Sequence, residues 1–115
     1  MKASELRIGN WVTYAGMMQR VYSIGETAIN IAQEPLKISF IGGVELSPEI
    51  LVKMGFEEVD YKRFLIQKFL YQIAYNPRDI QWFANSACHC FAIYYVHQLQ
   101  NLYFALTNTE LNFTL

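Results

Sequence analysis

Tyr95-Val96-His97-Gln98-Leu99-Gln100-Asn101-Leu102-Tyr103-Phe104-Ala105-Leu106-Thr107 is the stretch that decides how this chain folds. At about 100° per residue, Tyr95, Val96, Leu99, Leu102, Tyr103 and Leu106 fall within one third of a helical circumference. That stripe predicts a helix over residues 95–107 laid on a sheet. The remaining face carries His97, Gln100, Asn101 and Phe104, uncharged polar groups around one large aromatic. Two readings of that face compete. In the first, the N-terminal sheet packs there and the helix is buried on two sides. In the second, the four residues are an interaction surface for a protein partner or a second copy of the chain, with amides and imidazole rimming an aromatic anchor.

Upstream of the helix the chain stays uncharged. Between Ile80 and Thr109 there is no Asp, Glu, Lys or Arg, yet Gln81, Asn85, Ser86, His89 and His97 interrupt the apolar residues. No run reaches the roughly 18–20 apolar residues that a membrane span needs, so no membrane is expected. Phe69, Tyr71, Ile73 and Tyr75 alternate with Lys68, Leu70, Gln72 and Ala74, the period of a strand with one buried face. Asn76-Pro77-Arg78-Asp79 is turn chemistry, and residues 80–84 and 88–93 read as the next two strands. Residues 61–94 thus form an antiparallel meander for the C-terminal helix to cover.

In the middle, Ser47-Pro48-Glu49 supplies a hydroxyl cap, a proline in the first turn and an acid at the positive end of the dipole. Ile50, Leu51 and Met54 give this short helix its apolar side. Gly55 suits the left-handed residue that ends it, and Phe56 folds back on Leu51, placing helix and cap over residues 47–56. Glu57-Glu58-Val59-Asp60 then reads as a solvated link.

Short strands separated by tight turns fill residues 1–46. Gly9-Asn10, Ala15-Gly16 and Gly25-Glu26 are the turns, and Ile29 with Ile31 and then Leu36, Ile38 and Phe40 alternate in period two. The alternation falters between Val21 and Ile24, which points to a bulge. This is a small curled antiparallel sheet, of which an SH3-like curl is one form. Gly42-Gly43 closes it. The fold class is α+β and mostly antiparallel β. A chain of 115 residues has room for one core, hence a single domain.

At this point the ends look familiar. Lys2-Ala3-Ser4-Glu5-Leu6-Arg7-Ile8-Gly9-Asn10-Trp11-Val12, the segment 46–56 and the stretch from Tyr95 to Thr107 together resemble a family of small uncharacterised proteins of bacterial genomes, their phages and mobile elements. The resemblance covers both ends and the middle helix, and its C-terminal motif is the most specific part. The chain departs from it at Gly42-Gly43-Val44-Glu45, where the family places a proline ahead of the helix, and at Asn108-Thr109, where it has a Gly-Glu pair. The resemblance implies no activity, cofactor or site residue.

Chemistry is sparse. Cys88-His89-Cys90, with His97 nearby in sequence, is the one cluster that suggests a metal, but on a strand the two thiols point one way and His89 the other. Two small thiols in an apolar setting are inert as nucleophiles, and a bridge between residues so close is sterically disfavoured. No paired acids stand ready for proton transfer, and each glycine has a turn or cap to explain it. The expectation is therefore no catalytic residues, no metal, no cofactor and no enzyme activity. A cytoplasmic location follows from the reduced thiols and from an N-terminus without an apolar signal core.

A net charge of −1 gives no long-range attraction for nucleic acid. A weak nucleic-acid-binding module remains the alternative, because Trp11, Tyr14, Arg20 and Tyr22 lie together on the first hairpin and stacking with a few phosphate contacts suffices. Glu5 and Glu26, close in sequence, count against it. The favoured expectation is a non-catalytic interaction or accessory protein.

Overall fold

The computed structural model describes residues 3–24, 28–31, 34–37, 41–60, 62–65, 72–76, 81–85, 90–111 and 113–115. These form two compact units, Met1–Glu45 with Tyr95–Asn101, and Leu46–Tyr94 with Leu102–Leu115. Each contains one antiparallel sheet, and the class is α+β with strands predominating, as the sequence predicts.

In the first unit, β1 (Trp11–Tyr14), β2 (Met17–Ile24), β3 (Ala28–Ile31), β4 (Glu34–Lys37) and β5 (Gly42–Gly43) lie in the order β4-β3-β2-β1-β5. Leu6, Val12, Val21 and Ile41 are the core, with Tyr14 packed against them. The pairing of β2 with β3 shifts register between Val21 and Ser23, so a bulge sits where the alternation falters and Tyr22 is the extra residue. Gly42-Gly43 does more than close the section, because both residues pair with β1.

Tyr14 pairs with Met17 across a two-residue turn, Ala15 at φ 50° and Gly16 at φ 77°. Two left-handed residues match the twist of the flanking strands. Glycine adopts that conformation freely, whereas for alanine it costs roughly 1–2 kcal/mol. Ala15→Asn is therefore expected to stabilise the hairpin by about 0.5–1 kcal/mol, since asparagine is at home in this turn. A urea midpoint that falls in this variant, with unchanged slope, contradicts the turn assignment.

The first unit also holds the opening turns of α2 (Val96–Thr107). Val96 N–H donates to the Val44 carbonyl at 2.8 Å, and the Gln98 side chain reaches back to accept from Tyr95 N–H at 3.1 Å. That return contact satisfies a donor the helix itself cannot use. At its other end α2 stops on Asn108, whose φ is 56° and whose N–H donates to Phe104 at 2.8 Å. Asparagine tolerates the left-handed closing position that is more often glycine. Val96, Leu99 and Tyr103 of the expected stripe are buried, but Leu106 is 47% exposed. The apolar seam thus ends one turn earlier than the periodicity predicts.

In the second unit, α1 (Pro48–Lys53) starts on Ser47, whose Oγ accepts from Ile50 N–H at 3.2 Å. Gly55 takes φ 97° and Phe56 N–H returns to the Leu51 carbonyl. The sheet is a meander, β6 (Glu57–Asp60), β7 (Arg63–Leu65), β8 (Gln72–Asn76), β9 (Gln81–Asn85) and β10 (Cys90–Ile93), in the order β10-β9-β8-β7-β6. The acidic segment 57–60, expected to be a solvated link, is an edge strand instead. Its charges suit an edge, where they discourage pairing with another chain. Ile73 and Phe64 are fully buried, and the Trp82 ring packs against both Phe64 and Tyr75. Phe69 and Tyr71 lie outside the described residues.

Candidate functional site

His97, Gln100 and Asn101 project from one side of α2, as three- and four-residue spacings require. That side is not an open interaction surface. His97 and Gln100 are buried, and residues 5–11 of the same chain take up the amides. Gln100 Oε1 accepts from Trp11 N–H at 2.9 Å and its Nε2 donates to the Gly9 carbonyl at 3.2 Å. Asn101 Nδ2 donates to the Glu5 carbonyl at 2.8 Å, while its Oδ1 accepts from Arg7 Nε at 2.9 Å and from Asn10 Nδ2 at 3.0 Å. The physical reason is the irregular backbone of residues 5–11, whose polar groups need partners once buried. Phe104 belongs to the second unit and is half-buried.

His97 differs from its neighbours. Among the described residues neither ring nitrogen has a hydrogen-bond partner. The ring stacks on Tyr95, with centroids 5.6 Å apart, and Nε2 lies 4.0 Å from Oε2 of Glu5. Burial pushes the imidazole below its usual pKa. The Glu5 carboxylate opposes this and the charge of the chain's amino end adds a smaller push downward.

The four hairpin residues separate. Trp11 is 6% exposed, with the Arg20 guanidinium 5.4 Å from its ring centroid, so it offers no free face for stacking. Tyr14 packs on the core. Only Arg20 and Tyr22 stay open, Tyr22 at 62% exposure. The reason is the two-sided sheet: Val12 and Tyr14 turn to one core, while Trp11 lies at the strand end where Gln100 arrives.

Met18 is also exposed, on the side of β2 that carries Arg20, with the bulged Tyr22 next along the strand; Ile24, 37% exposed, pairs with Ile29 and so lies on the side of Val21. The sequence reading missed Met18. Its signal was present, since it stands two residues from Arg20, the period that a strand imposes, but the bulge at Tyr22 ends that alternation. No family model, curated protein or solved structure matches the chain. Cys88 and His89 lie outside the described residues; Cys90 begins β10. Among the described residues, no helix is long and apolar enough to cross a membrane.

Proposed function

We propose that this is a non-catalytic binding protein, cytoplasmic and of bacterial or mobile-element origin, that docks a protein partner on the outer face of β2. The observation that carries the reading is the group Met18, Arg20 and Tyr22, two large apolar side chains and one cation in the open. Because β1 and β3 flank β2, its backbone is already paired and only side chains are on offer. Clustered apolar groups on a folded surface mark contact sites, and Met, Tyr and Arg are types that interfaces favour. The origin rests on the resemblance of both chain ends to a bacterial and phage family.

Arg20 fixes the partner's character. It is the only charged residue between Trp11 and Ile24, and among the described residues no carboxylate pairs with it. A second copy docking by the same patch would bring two guanidinium groups together with no acid between them. The complement is a different chain, with a carboxylate set among apolar side chains.

Selection of displayed peptides on the whole protein tests this. Enriched peptides should carry Asp or Glu flanked by apolar residues. Arg20→Glu or Tyr22→Ala should weaken them by about tenfold or more, or about 1.4 kcal/mol. Peptides that bind wild type and Arg20→Glu equally overturn the reading, as does a dimer abolished by Tyr22→Ala. A second reading keeps the same face for single-stranded nucleic acid, with Arg20 on a phosphate and Tyr22 on a base. The absence of any acid from residue 11 to 24 favours it. Salt-sensitive binding of a labelled pyrimidine oligonucleotide, lost in Tyr22→Ala, is its signature.

A further inference from the structure

We propose that residues 5–11 are a strap that acid releases from the first turns of α2, with His97 as the group that takes up the proton. The strap's far end is tied to β2 by two backbone bonds, Gly9 N–H to the Val21 carbonyl and Val21 N–H to the Asn10 carbonyl, each 2.9 Å, whereas its hold on α2 is by side chains. Gln100 and Asn101 bind the backbone at Glu5, Gly9 and Trp11, and Arg7 Nε and Asn10 Nδ2 answer from the strap's side. His97 stands one turn before Asn101 on the same side of the helix. It is fully buried, and among the described residues both ring nitrogens go without a hydrogen bond. A buried polar group in that state gains hydration when its cover lifts. It gains far more if it is charged.

The groups around the ring decide the direction. The strap brings two charges to this side of α2, Glu5 and Arg7, and the charge of the chain's amino end adds a small push downward on the ring's pKa; the Tyr95 ring stacks on the imidazole. Glu5 Oε2, 4.0 Å from Nε2, favours the imidazolium, but that side chain is 48% exposed and water screens it. Burial therefore prevails, and the closed strap disfavours the protonated ring.

The linkage runs in one sense. With the strap open, His97 titrates near its ordinary value of 6.5; with it closed, it titrates lower. Above the ordinary value the ring is neutral in both states and the closed strap keeps its full stability. As the pH falls through that value, the open form binds the proton first and gains population. Once the lowered value is passed, both forms are protonated and nothing further is lost. Opening presents the imidazole and the two amides of α2, so the polar side of the helix becomes a contact surface under acid conditions.

Amide exchange on the whole protein between pH 7.5 and 5.5, corrected for intrinsic rates, tests the proposal. Arg7 N–H, bound to Asn10 Oδ1, and Trp11 N–H, bound to Gln100 Oε1, report the strap. Leu51 and Phe56 N–H report the second unit. Strap protection should drop toward acid, by no more than about tenfold per pH unit, the limit for one linked proton. The second unit should stay level. His97→Leu should flatten the strap's response, and Glu5→Gln should retain and deepen it. An acid response that survives His97→Leu overturns the proposal. So does a His97 ring that titrates in wild type, by NMR, while the strap stays protected.

Discussion

Gln100→Leu should loosen the first unit by about 2–4 kcal/mol, although leucine nearly matches glutamine in volume. Gln100 is 2% exposed, accepts from Trp11 N–H and donates to the Gly9 carbonyl. Leucine fills the same space but can do neither. One buried backbone group and one part-buried one then lose their partners; a buried loss costs about 1–3 kcal/mol and the part-buried one less. If one group finds water at the unit's margin, the lower part of that range applies. The effect should appear as faster amide exchange in β1 and β2, with the second unit unchanged. A loss below about 1 kcal/mol means that the two backbone groups find other partners, and the strap is then not held as described.

This same contact marks where the sequence ceases to be legible. The α1 segment was readable because each signal acts within a few residues: Ser47 caps Ile50, Gly55 turns left-handed, and Phe56 closes on Leu51. The bulge in β2 was readable for the same reason, as a local fault in period two. The partners of Gln100 and Asn101 lie some ninety positions away in the chain. A hydrophobic stripe separates apolar from polar positions, and by that measure alone the side bearing His97, Gln100 and Asn101 fitted packing under the N-terminal sheet and a partner interface equally. Amides that satisfy an irregular backbone break the rule, since they are buried because they are polar. The absence of Lys and Glu from that side was the available hint, because solvated helix faces usually carry them.

The open group on β2 was half legible. Arg20 and Tyr22 stood out as types that bind, whereas Met18 carried no such signal. Only the sheet order shows which face of a central strand is covered. Trp11 stood between two readings for a related reason. An indole on a hairpin serves equally as a stacking platform or as packing, and the arrival of Gln100 and Arg20 decides for packing.

Gly43→Ala is expected to cost about 1–3 kcal/mol, the range for forcing extra atoms into a filled site. Gly43 pairs with Val12 on β1, and a Cβ placed there would run into the Tyr95 ring at Cγ and Cδ1. A χ1 change would carry both atoms clear, but only by giving up the ring's stack on His97. Tyr95 is fixed from both ends, by its bridge to Glu45 and by its stack on His97. The methyl group must therefore displace either β5 from β1 or the tyrosine ring from the imidazole. Gly42→Ala meets a milder obstacle, Thr13 Oγ1 at 2.7 Å, and a threonine rotamer can yield. The ordering of the two variants is thus the sharper expectation, with Gly43→Ala clearly the more damaging in thermal melts. Tyr95→Ala should rescue much of the loss in Gly43→Ala by removing the ring it strikes, a coupling that a double-mutant cycle reads directly. Additive effects in that cycle would place the Tyr95 ring elsewhere and deprive His97 of the stack that holds it beneath the strap.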